Sequence, residues 1–487
     1  MSQLKDILYG VSLQEVAGRT DVEINNIVFD SRKVKAGDLF VAISGTHVDG
    51  HQYISQVIEM GAKVIVCEVA PSSKPDDVTV VKVDNSAKAL GIAASNFYGN
   101  PSKKLALIGV TGTNGKTTTV TMLYKLFRAM GYNAGVLSTV ENIINDVVIP
   151  ATHTTPDPVA LNALLSKMVK EGCTHCFMEV SSHAVVQERI AGLYFKGGVF
   201  TNISHDHLDY HKTFDEYIKA KKAFFDNLPK TAFALVNGDD RRGAVMMQNT
   251  KASKNYFALK TPADFKGKII SNTLQGLELD IENKAVWFRL IGKFNAYNLL
   301  GVYGVAVLMG EDPDEVLTDL SVLDTARGRF ERVISPNGII GIIDYAHTPD
   351  ALENVLNTIN EFKEGNSKVI TVVGCGGDRD KTKRPLMAEI AARLSDKVIF
   401  TNDNPRTEDP NVILSEMQAG IGPSLKKKVL TMGDRAEAIA LACHLAEQKD
   451  IILVAGKGHE NYQEINGVRH HFNDKEELLA KFKQLEK

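Results

Sequence analysis

Residues 105–131 read LALIGVTGTNGKTTTVTMLYKLFRAMG. The apolar run at 105–110 is typical of a buried strand, and the stretch from Lys116 onward has the pattern of a helix. Small residues between them let backbone N–H groups and the N-terminus of the helix face a phosphate. Lys116 adds a positive charge there, and the Thr117 hydroxyl can bind Mg²⁺. The stretch therefore predicts a nucleoside triphosphate site in an α/β domain.

The loop departs from the usual phosphate-loop pattern at one position. Val110 stands where the first glycine belongs, while Gly109 and Gly112 lie on either side of it. The alternative reading is a tight strand-to-helix turn with an exposed lysine. The predicted nucleoside triphosphate contacts in this loop are Gly112, Thr113, Asn114, Gly115, Lys116, Thr117 and Thr118.

The alternation of apolar runs and helical stretches extends along the whole chain. HCFMEV (175–180), GGVFTN (197–202) and AFALV (232–236) continue the central pattern and predict a mostly parallel, doubly wound sheet. We predict three α/β domains: a small N-terminal domain over 1–100, a central phosphate-loop domain over 101–331 and a C-terminal Rossmann-like domain over 332–487.

In the C-terminal third, three strand candidates are each followed by a polar loop. The strand candidate KVITVVG (368–374) leads into GCGGDRD (374–380), and KVIF (397–400) leads into TNDNPR (401–406). The third, IILVAG (451–456), leads into AGKGHE (455–460). Ligands of open α/β sheets bind outside the carboxyl ends of the strands. The sequence therefore places all three loops at one ligand-binding edge.

Composition excludes several other classes of protein. The 487 residues carry a formal net charge of -3, without a basic tract long enough to follow a nucleic-acid backbone. We find neither a basic segment followed by an apolar run at the start nor about 18 consecutive apolar residues. We expect a cytoplasmic monomer that is neither inserted in a membrane nor bound to nucleic acid. Five cysteines do not indicate a disulfide framework, and CTHC (173–176) is read as buried or incidental thiols rather than a metal or redox site.

Groups suited to a divalent cation follow two central strands. Glu179 ends one strand candidate, and SHDHLDYH (204–211), which contains His207, follows the next. Zinc is an alternative, but no further ligand set with zinc spacing follows, and Mg²⁺ suits a triphosphate better. The remaining alternative is a polar loop whose histidines cap neighbouring backbone.

Eight motifs, in order, resemble the Mur ligases over nearly the whole chain. They are GTNGKTTT, MEVSSHAVVQERI, TNISHDHLDYH, GKFNAYNLL, DYAHTPDAL, GCGGDRDKTKRP, DNPR and AGKGHENYQ. The resemblance implies an ATP-dependent ligase that activates a carboxylate as an acyl phosphate, which an amine then attacks through a tetrahedral intermediate. It also implies a role in cytoplasmic peptidoglycan precursor synthesis, with UDP-N-acetylmuramoyl-L-alanyl-D-glutamate as the carboxylate substrate.

The same resemblance implies roles for individual residues. Catalysis would involve Lys116, Glu179, His207 and Lys221, the last as a carbamate; Thr117, Glu179, His207 and Lys221 would hold Mg²⁺. From sequence alone, Lys221 and its neighbour Lys222 would pass for a solvated helix face. Further nucleotide contacts would be Asn295, with Asn298 near it, Arg329, Asp344 and His347. Contacts to the muramyl dipeptide would be Ser31, Thr154, Thr155, Ser181, Gln187 and Arg189, whereas Thr46 and His47 depart from the pattern of close relatives.

The incoming amine is either meso-diaminopimelate or L-lysine, which differ by one distal carboxylate. Arg406 offers a fork for that carboxylate, while Asp403, Asn404 and Glu460 can accept amine hydrogens. The DNPR motif resembles the diaminopimelate pattern, and the implied contacts are Arg379, Asp403, Asn404, Pro405, Arg406, Gly456 and Glu460. Lysine would leave Arg406 without a partner, and such a defect can discriminate by ~10⁴ to 10⁵.

Other functions remain open at this point. A folylpolyglutamate-type or D-alanyl-D-alanine-adding ligase shares the phosphate loop but should lack DNPR together with GKGHE. A motor or signalling NTPase would hydrolyse ATP without an amine substrate. A scaffold that binds nucleotide without chemistry would give Glu179, His207 and Lys221 no reason to occur together.

Overall fold

The computed structural model describes residues 2–45, 48–151, 154–204, 206 and 208–486. Over these residues the chain forms three successive α/β units, built on main sheets of five, eleven and six strands. This confirms the predicted fold class. Among the same residues, no helix combines the length and the apolar character needed to cross a bilayer.

The N-terminal unit has a sheet of order β2-β7-β6-β5-β4, parallel except where β2 pairs with β7. Buried aliphatic side chains cover both faces of this sheet. Its elements are β1 (Ser2–Gln3), α1 (Leu4–Ile7), β2 (Leu13–Ala17), β3 (Glu23–Ile24), β4 (Ile27–Val28), β5 (Leu39–Val41), α2 (Ile54–Glu59), β6 (Val64–Cys67), β7 (Thr79–Val83) and α3 (Ser86–Phe97).

The central unit places the strand before the phosphate loop in the middle of its sheet, whose order is β11-β10-β9-β12-β8-β13-β14-β15-β16-β17-β18. The strands from β9 to β16 are parallel as predicted, and antiparallel strands extend both edges, which the sequence reading missed. Its elements are β8 (Ala106–Thr111), α4 (Lys116–Ala129), β9 (Ala134–Leu137), β10 (Glu141–Ile144), β11 (Val147–Pro150), α5 (Pro158–Lys170), β12 (His175–Glu179), α6 (Ser182–Val186), β13 (Gly197–Phe200), α7 (Leu208–His211), α8 (Phe214–Asp226), β14 (Phe233–Asn237), α9 (Gly243–Met246), β15 (Ser253–Ala258), β16 (Phe265–Asn272), β17 (Leu277–Ile281), β18 (Lys284–Phe288), α10 (Lys293–Leu308) and α11 (Pro313–Ser321).

The turn from β8 into α4 depends on Gly115. Its φ of 85° lies in the left-handed region, where a side chain costs energy. A Cβ built there would also lie 2.5 Å from Asn298 Oδ1. Glycine therefore lets the loop reverse directly against α10 and start the helix at Lys116.

The C-terminal unit has a sheet of order β19-β20-β24-β21-β22-β23, parallel from β20 onward. Because β24, β21 and β22 are neighbours, the loops AGKGHE, GCGGDRD and TNDNPR emerge side by side, as predicted. Its elements are β19 (Glu331–Ile334), β20 (Ile340–Asp344), α12 (Pro349–Phe362), β21 (Val369–Val373), α13 (Lys383–Leu394), β22 (Lys397–Phe400), α14 (Pro410–Ala419), β23 (Val429–Thr431), α15 (Arg435–Leu445), β24 (Ile451–Ala455), β25 (Tyr462–Ile465), β26 (Val468–His471) and α16 (Asp474–Gln484).

Candidate active site

A cleft of about 950 Å³ lies between the central and C-terminal units. The phosphate loop forms one wall, and the loops after β21, β22 and β24 form another. Most of the residues predicted from sequence line it. Those that do not are Ser31, Gly112, Gln187, Asn295 and Pro405 among the described residues, while His207 lies outside the described part of the chain.

Two lysines converge on the phosphate loop. Lys116 Nζ donates to the carbonyl oxygens of Gly112 at 2.9 Å and Thr113 at 2.8 Å. Lys221 Nζ, on α8, donates to the same Gly112 oxygen at 2.8 Å. Burial lowers the pKa of Lys116, and burial together with the charge of Lys116 lowers the pKa of Lys221 well below its ordinary value. The loop thus gathers two amines where a phosphate would sit, and Lys221 is not on a solvated helix face.

Thr117 and Glu179 form an oxygen-rich corner next to these lysines. Thr117 Oγ1 donates to Glu179 Oε1 at 2.8 Å, and the same carboxylate oxygen accepts the Thr139 backbone N–H at 2.8 Å. Glu179 is only 1% exposed. Hydroxyl and carboxylate oxygens are the ligands that Mg²⁺ prefers, so this donor set fits that ion.

Arg329, Asp344 and His347 reach the same region from the C-terminal side. Arg329 Nη2 donates to Thr117 Oγ1 at 3.1 Å, and its guanidinium lies 4.5 Å from the centre of the Tyr345 ring. Asp344 accepts the Phe330 backbone N–H at 2.6 Å, and burial raises its pKa to about 6. Burial lowers the pKa of His347 to about 4, so its ring is neutral near pH 7. The three side chains therefore close the cleft over the phosphate loop.

Asn295 lies behind the cleft wall rather than in it. Its Nδ2 donates to the Ile291 carbonyl oxygen at 2.8 Å, and its Oδ1 accepts from Asn298 Nδ2 at 3.0 Å. Asn298 does line the cleft. Asn295 therefore contacts the cleft through Asn298, and its contact with the base stays a prediction.

Apart from Ser31, the residues predicted to contact the muramyl dipeptide form one hydrogen-bonded group. Thr155 Oγ1 donates to the Glu179 carbonyl oxygen at 2.9 Å, and Arg189 Nη1 donates to the Thr155 carbonyl oxygen at 2.8 Å. Ser181 caps α6, and Thr154 lies 3.0 Å from the Thr139 hydroxyl. Gln187 Oε1 accepts from Arg189 Nη2 at 2.6 Å, so it orients the arginine from outside the cleft.

Ser31 lies in the N-terminal unit, away from the main cleft. It begins a short 3-10 helix, Ser31–Lys33, which Asp30 caps. Asp30 and Lys33 line a second cavity of about 770 Å³ between this unit and α5, which Asp157 also lines. Thr46 and His47 fall outside the described residues.

The loops after β21 and β22 are bonded to each other around Arg406. Gly377 N–H donates to the Asn404 carbonyl oxygen at 2.9 Å, and Arg406 Nη1 donates to the Gly377 carbonyl oxygen at 2.7 Å. Arg406 has a φ of 54°. Its backbone pairs with the β25–β26 hairpin, because its N–H donates to the Glu464 carbonyl oxygen at 3.0 Å. Arg379 is exposed at the rim of the same cleft.

Asn404 differs from its predicted role. Its Oδ1 accepts from Lys457 Nζ at 3.1 Å and from the Glu464 backbone N–H at 2.9 Å, which uses both lone pairs. Its Nδ2 donates to Glu460 Oε2 at 2.7 Å. Asn404 therefore offers the cleft an N–H donor and cannot accept an amine hydrogen, so Asp403 and Glu460 remain as acceptors. Burial and the charge of Asp403 raise the pKa of Glu460.

Gly456 brings the third loop close to the same group. Its φ of 114° lies in the left-handed region, and a Cβ there would lie 2.7 Å from Asp403 Oδ2. Pro405 is buried between the loops, and its carbonyl oxygen would lie 1.9 Å from a Cβ at Gly377. Gly456 and Pro405 therefore determine the course of the loops, while the polar side chains beside them are the groups that can bind a ligand.

Several polar residues of the site were not predicted from the sequence. Asp350, at the start of α12, accepts from Asn114 Nδ2 at 2.8 Å and Ser204 Oγ at 3.1 Å, and so connects the C-terminal unit to the phosphate loop. Lys457 and Arg384 are fully buried cations beside the amino-acid loops. Both residues lie in motifs that the sequence shows, but the sequence does not show that their side chains are buried or which residues they contact.

The CTHC thiols are buried, as expected of incidental cysteines. Cys173 is 5% exposed and Cys176 is 0% exposed, and both are free thiols. Burial raises the pKa of both thiols. In the described part of the chain, no group of three or more His, Cys, Asp or Glu side chains is arranged to hold a metal.

Fold and site together define a nucleotide-dependent ligase built from three α/β units. Family models described as Mur ligase catalytic domain, Mur ligase middle domain, and Mur ligase glutamate ligase domain match residues 23–98, 110–306 and 328–458. The chain belongs to the Mur ligase family and is an ATP-dependent, amide-bond-forming enzyme.

Several curated relatives of high sequence identity carry the name of one activity. The chain is 62% identical over 474 residues to the UDP-N-acetylmuramoyl-L-alanyl-D-glutamate--2,6-diaminopimelate ligase of Cytophaga hutchinsonii, covering 97% of both chains. It is 55% identical to the enzyme of the same name from Phocaeicola vulgatus, covering 98% of both chains. A solved structure of a ligase of that name superposes with a TM-score of 0.71 at 30% identity, covering 100% of this chain and 99% of the other.

Proposed function

We infer that the chain adds 2,6-diaminopimelate to UDP-N-acetylmuramoyl-L-alanyl-D-glutamate at the expense of ATP, in peptidoglycan precursor synthesis. The observation that carries this function is the convergence, in one cleft, of the phosphate loop with the loops that hold Arg406 and Glu460. The relatives' shared activity supports the same substrates. We propose the meso isomer as the substrate; unlike L-lysine, diaminopimelate has a second amino-acid centre, with a carboxylate, at the end of its side chain.

The reaction must bring two anions together before an amide can form. A carboxylate is a poor acyl donor, so its oxygen first takes the γ-phosphoryl group, which gives an acyl phosphate. The amine then attacks the acyl carbon, and phosphate leaves from the tetrahedral intermediate. Lys116 and Arg329 are placed to offset the negative charge that gathers in the first step.

Mg²⁺ completes the charge balance in this proposal. Thr117 and Glu179 would hold one ion, and His207 with a carbamate on Lys221 would hold a second. When bound, Mg²⁺ neutralises phosphate oxygens and polarises the γ-phosphoryl group. The lowered pKa of Lys221 supports carbamate formation, because only a neutral amine reacts with CO₂.

The substrates occupy different parts of the molecule in this proposal. The uridine end lies against the N-terminal unit near Ser31, where the second cavity offers room. The dipeptide lies along Thr154, Thr155, Ser181 and Arg189, with its D-glutamate carboxylate facing the phosphate loop. Diaminopimelate lies at the loops after β21, β22 and β24, with a carboxylate on Arg406 and an ammonium on Glu460.

We further propose domain boundaries near residues 100 and 331, a cytoplasmic location and a monomeric state. The first boundary falls between the N-terminal and central sheets, and the second coincides with the first residue of β19, the edge strand of the C-terminal sheet. Soluble nucleotide-linked substrates support the location. All the residues proposed above to bind the substrates belong to one chain, which supports a monomer.

Phosphate release tests the activity directly. The purified protein is mixed with ATP, Mg²⁺ and the UDP-muramyl dipeptide, and then with meso-diaminopimelate, L-lysine or no amine. We expect release and a new amide product with diaminopimelate, and much slower reaction with lysine. Equal rates in all three mixtures would refute the ligase function and indicate a simple ATPase.

A further inference from the structure

Lys457 is a fully buried cation that does not line the cleft. Its Nζ donates to Glu460 Oε2 at 2.9 Å and to Asn404 Oδ1 at 3.1 Å, and lies 5.5 Å from the centre of the Tyr462 ring. Both hydrogen-bond partners do line the cleft. Burying an ammonium costs free energy unless the charge is paired and hydrogen-bonded. The Glu460 carboxylate and the Asn404 amide oxygen therefore stabilise the buried Lys457.

The contacts of Lys457 determine which atoms of its partners remain for a ligand. Both lone pairs of Asn404 Oδ1 are used, by Lys457 and by the Glu464 backbone N–H. Asn404 Nδ2 gives one hydrogen to Glu460 Oε2, and among the residues that the structure describes its second hydrogen has no acceptor. Glu460 Oε2 takes two donors, whereas Oε1 takes none within the same described set.

Two groups therefore remain for a ligand: one N–H donor on Asn404 and one anionic acceptor oxygen on Glu460. An amino-acid centre is a zwitterion, with a carboxylate that accepts hydrogen bonds and an ammonium that donates them. The donor suits the carboxylate, which Arg406 would also contact, and the acceptor suits the ammonium. With the Asn404 amide reversed, its oxygen would face the Glu460 carboxylate, so the pair depends on the amide being held in this orientation.

We propose that Lys457 is a positioning residue of the amino-acid subsite: it fixes Asn404 as a donor and leaves Glu460 Oε1 free, so that the two together recognise one zwitterionic centre of diaminopimelate. This rests on the proposed function. Lys457 lies in the AGKGHE motif, between Gly456 and Glu460, which are the two residues of that motif predicted to contact diaminopimelate.

The test uses steady-state kinetics of Lys457→Met in the full-length enzyme. We expect the KM for diaminopimelate to rise about 10- to 100-fold, which corresponds to losing hydrogen bonds to charged groups. The KM values for ATP and for the UDP-muramyl dipeptide should change by less than about threefold. A matched control is Lys428→Met, because Lys428 is a partly buried lysine of the same unit that donates to the carbonyl oxygens of Ala392 and Ser395.

A double-mutant cycle separates positioning from general loss of packing. If Lys457 acts through Asn404, then Lys457→Met combined with Asn404→Ala should raise the KM for diaminopimelate little more than Asn404→Ala alone. Multiplicative effects, or a Lys457→Met variant whose three KM values shift equally, would overturn the proposal. Should Lys457→Met not fold, Lys457→Gln in the same cycle gives the same comparison. Failure of the wild-type enzyme to use diaminopimelate would instead refute the proposed function.

Discussion

The Lys221 ammonium lies 2.8 Å from the Gly112 carbonyl oxygen, although the two residues are 109 positions apart in the sequence. The contact brings α8 against the phosphate loop and buries an amine beside Lys116. Two buried amines this close disfavour each other's charge, which is the reason that the pKa of Lys221 falls further than burial alone would cause. A lysine with a lowered pKa is suited to react with CO₂.

Lys221→Ala should slow diaminopimelate-dependent phosphate release by about 100- to 1,000-fold. The variant lacks the carbamate that is proposed to hold Mg²⁺ beside the phosphoryl group being transferred. Short carboxylates such as acetate should restore part of the rate. In the wild-type enzyme, removing CO₂ should lower activity, and bicarbonate should restore it. Lys222→Ala is the control, since Lys222 is the next residue on the same helix and pairs with Asp226 at 2.7 Å instead of contacting the phosphate loop. An active Lys221→Ala enzyme would contradict the assignment.

Arg406→Lys should reduce the preference for diaminopimelate over lysine. The substitution keeps a positive charge and a Cβ at the same backbone φ, but removes the planar fork that binds a carboxylate through two hydrogen bonds. We expect kcat/KM for diaminopimelate to fall about 100-fold, with little change for lysine. The control is Arg469→Lys, because Arg469 lies over the Tyr462 ring at 4.3 Å on the adjoining hairpin. Unchanged discrimination in Arg406→Lys would place the distal carboxylate elsewhere.

Arg384 should hold the loops after β21 and β22 together. Its Nη2 donates to Glu408 Oε1 at 2.9 Å and its Nη1 to Glu416 Oε2 at 2.6 Å, and the side chain is fully buried. Arg384→Met leaves Glu408 without this partner, so we expect the free energy of unfolding to fall by about 3 kcal/mol. The KM for diaminopimelate should rise more than the KM for ATP.

Urea unfolding and steady-state kinetics measure the two effects of Arg384→Met. The matched control is Arg393→Met on the same helix, since Arg393 pairs with Glu353 and Glu389 at the surface. Surface pairs contribute about 0 to 1 kcal/mol, so this variant should remain close to wild type in both measurements. Similar losses in the two variants would show that Arg384 has no particular effect on the loops.

Asp344 should make the protein less stable as the pH rises. Its folded pKa is raised from 3.8 to about 6, so the folded state retains a proton that the unfolded state has already lost. The stability is fully present below the unfolded pKa, falls as the pH rises from about 4 to 6, and stays low above it; the loss amounts to about 3 kcal/mol.

Asp344→Asn removes this titration while keeping an acceptor for the Phe330 backbone N–H. In urea unfolding, the variant should be more stable than wild type at pH 7, and the gain should shrink toward pH 4. A gain that does not vary with pH would contradict the assigned cause. Catalysis should suffer in the same variant if Asp344 serves the nucleotide site, which phosphate release would show.

Much of the fold was predictable because its signals are local. The strand before the phosphate loop, the glycine turn and the helix after it follow one another within 105–131, and β21, β22 and β24 are mostly apolar runs. The antiparallel edge strands β10, β11, β17 and β18 were not predicted, since alternation of strands with helices indicates only parallel strands. The Asn404 amide was assigned the wrong role because its orientation depends on Lys457, which lies 53 residues away.

The sequence by itself determined the α/β class, the phosphate loop, the family and the three loops that meet at one sheet edge. These follow from the order of residues, because strand, turn and helix signals act over a few positions and parallel strands end on the same side. Only the tertiary structure decided which atoms are free to bind. Burial lowers the pKa of Lys221, Lys457 orients Asn404, and Asp350 joins α12 to the phosphate loop, since each effect needs partners that folding brings together.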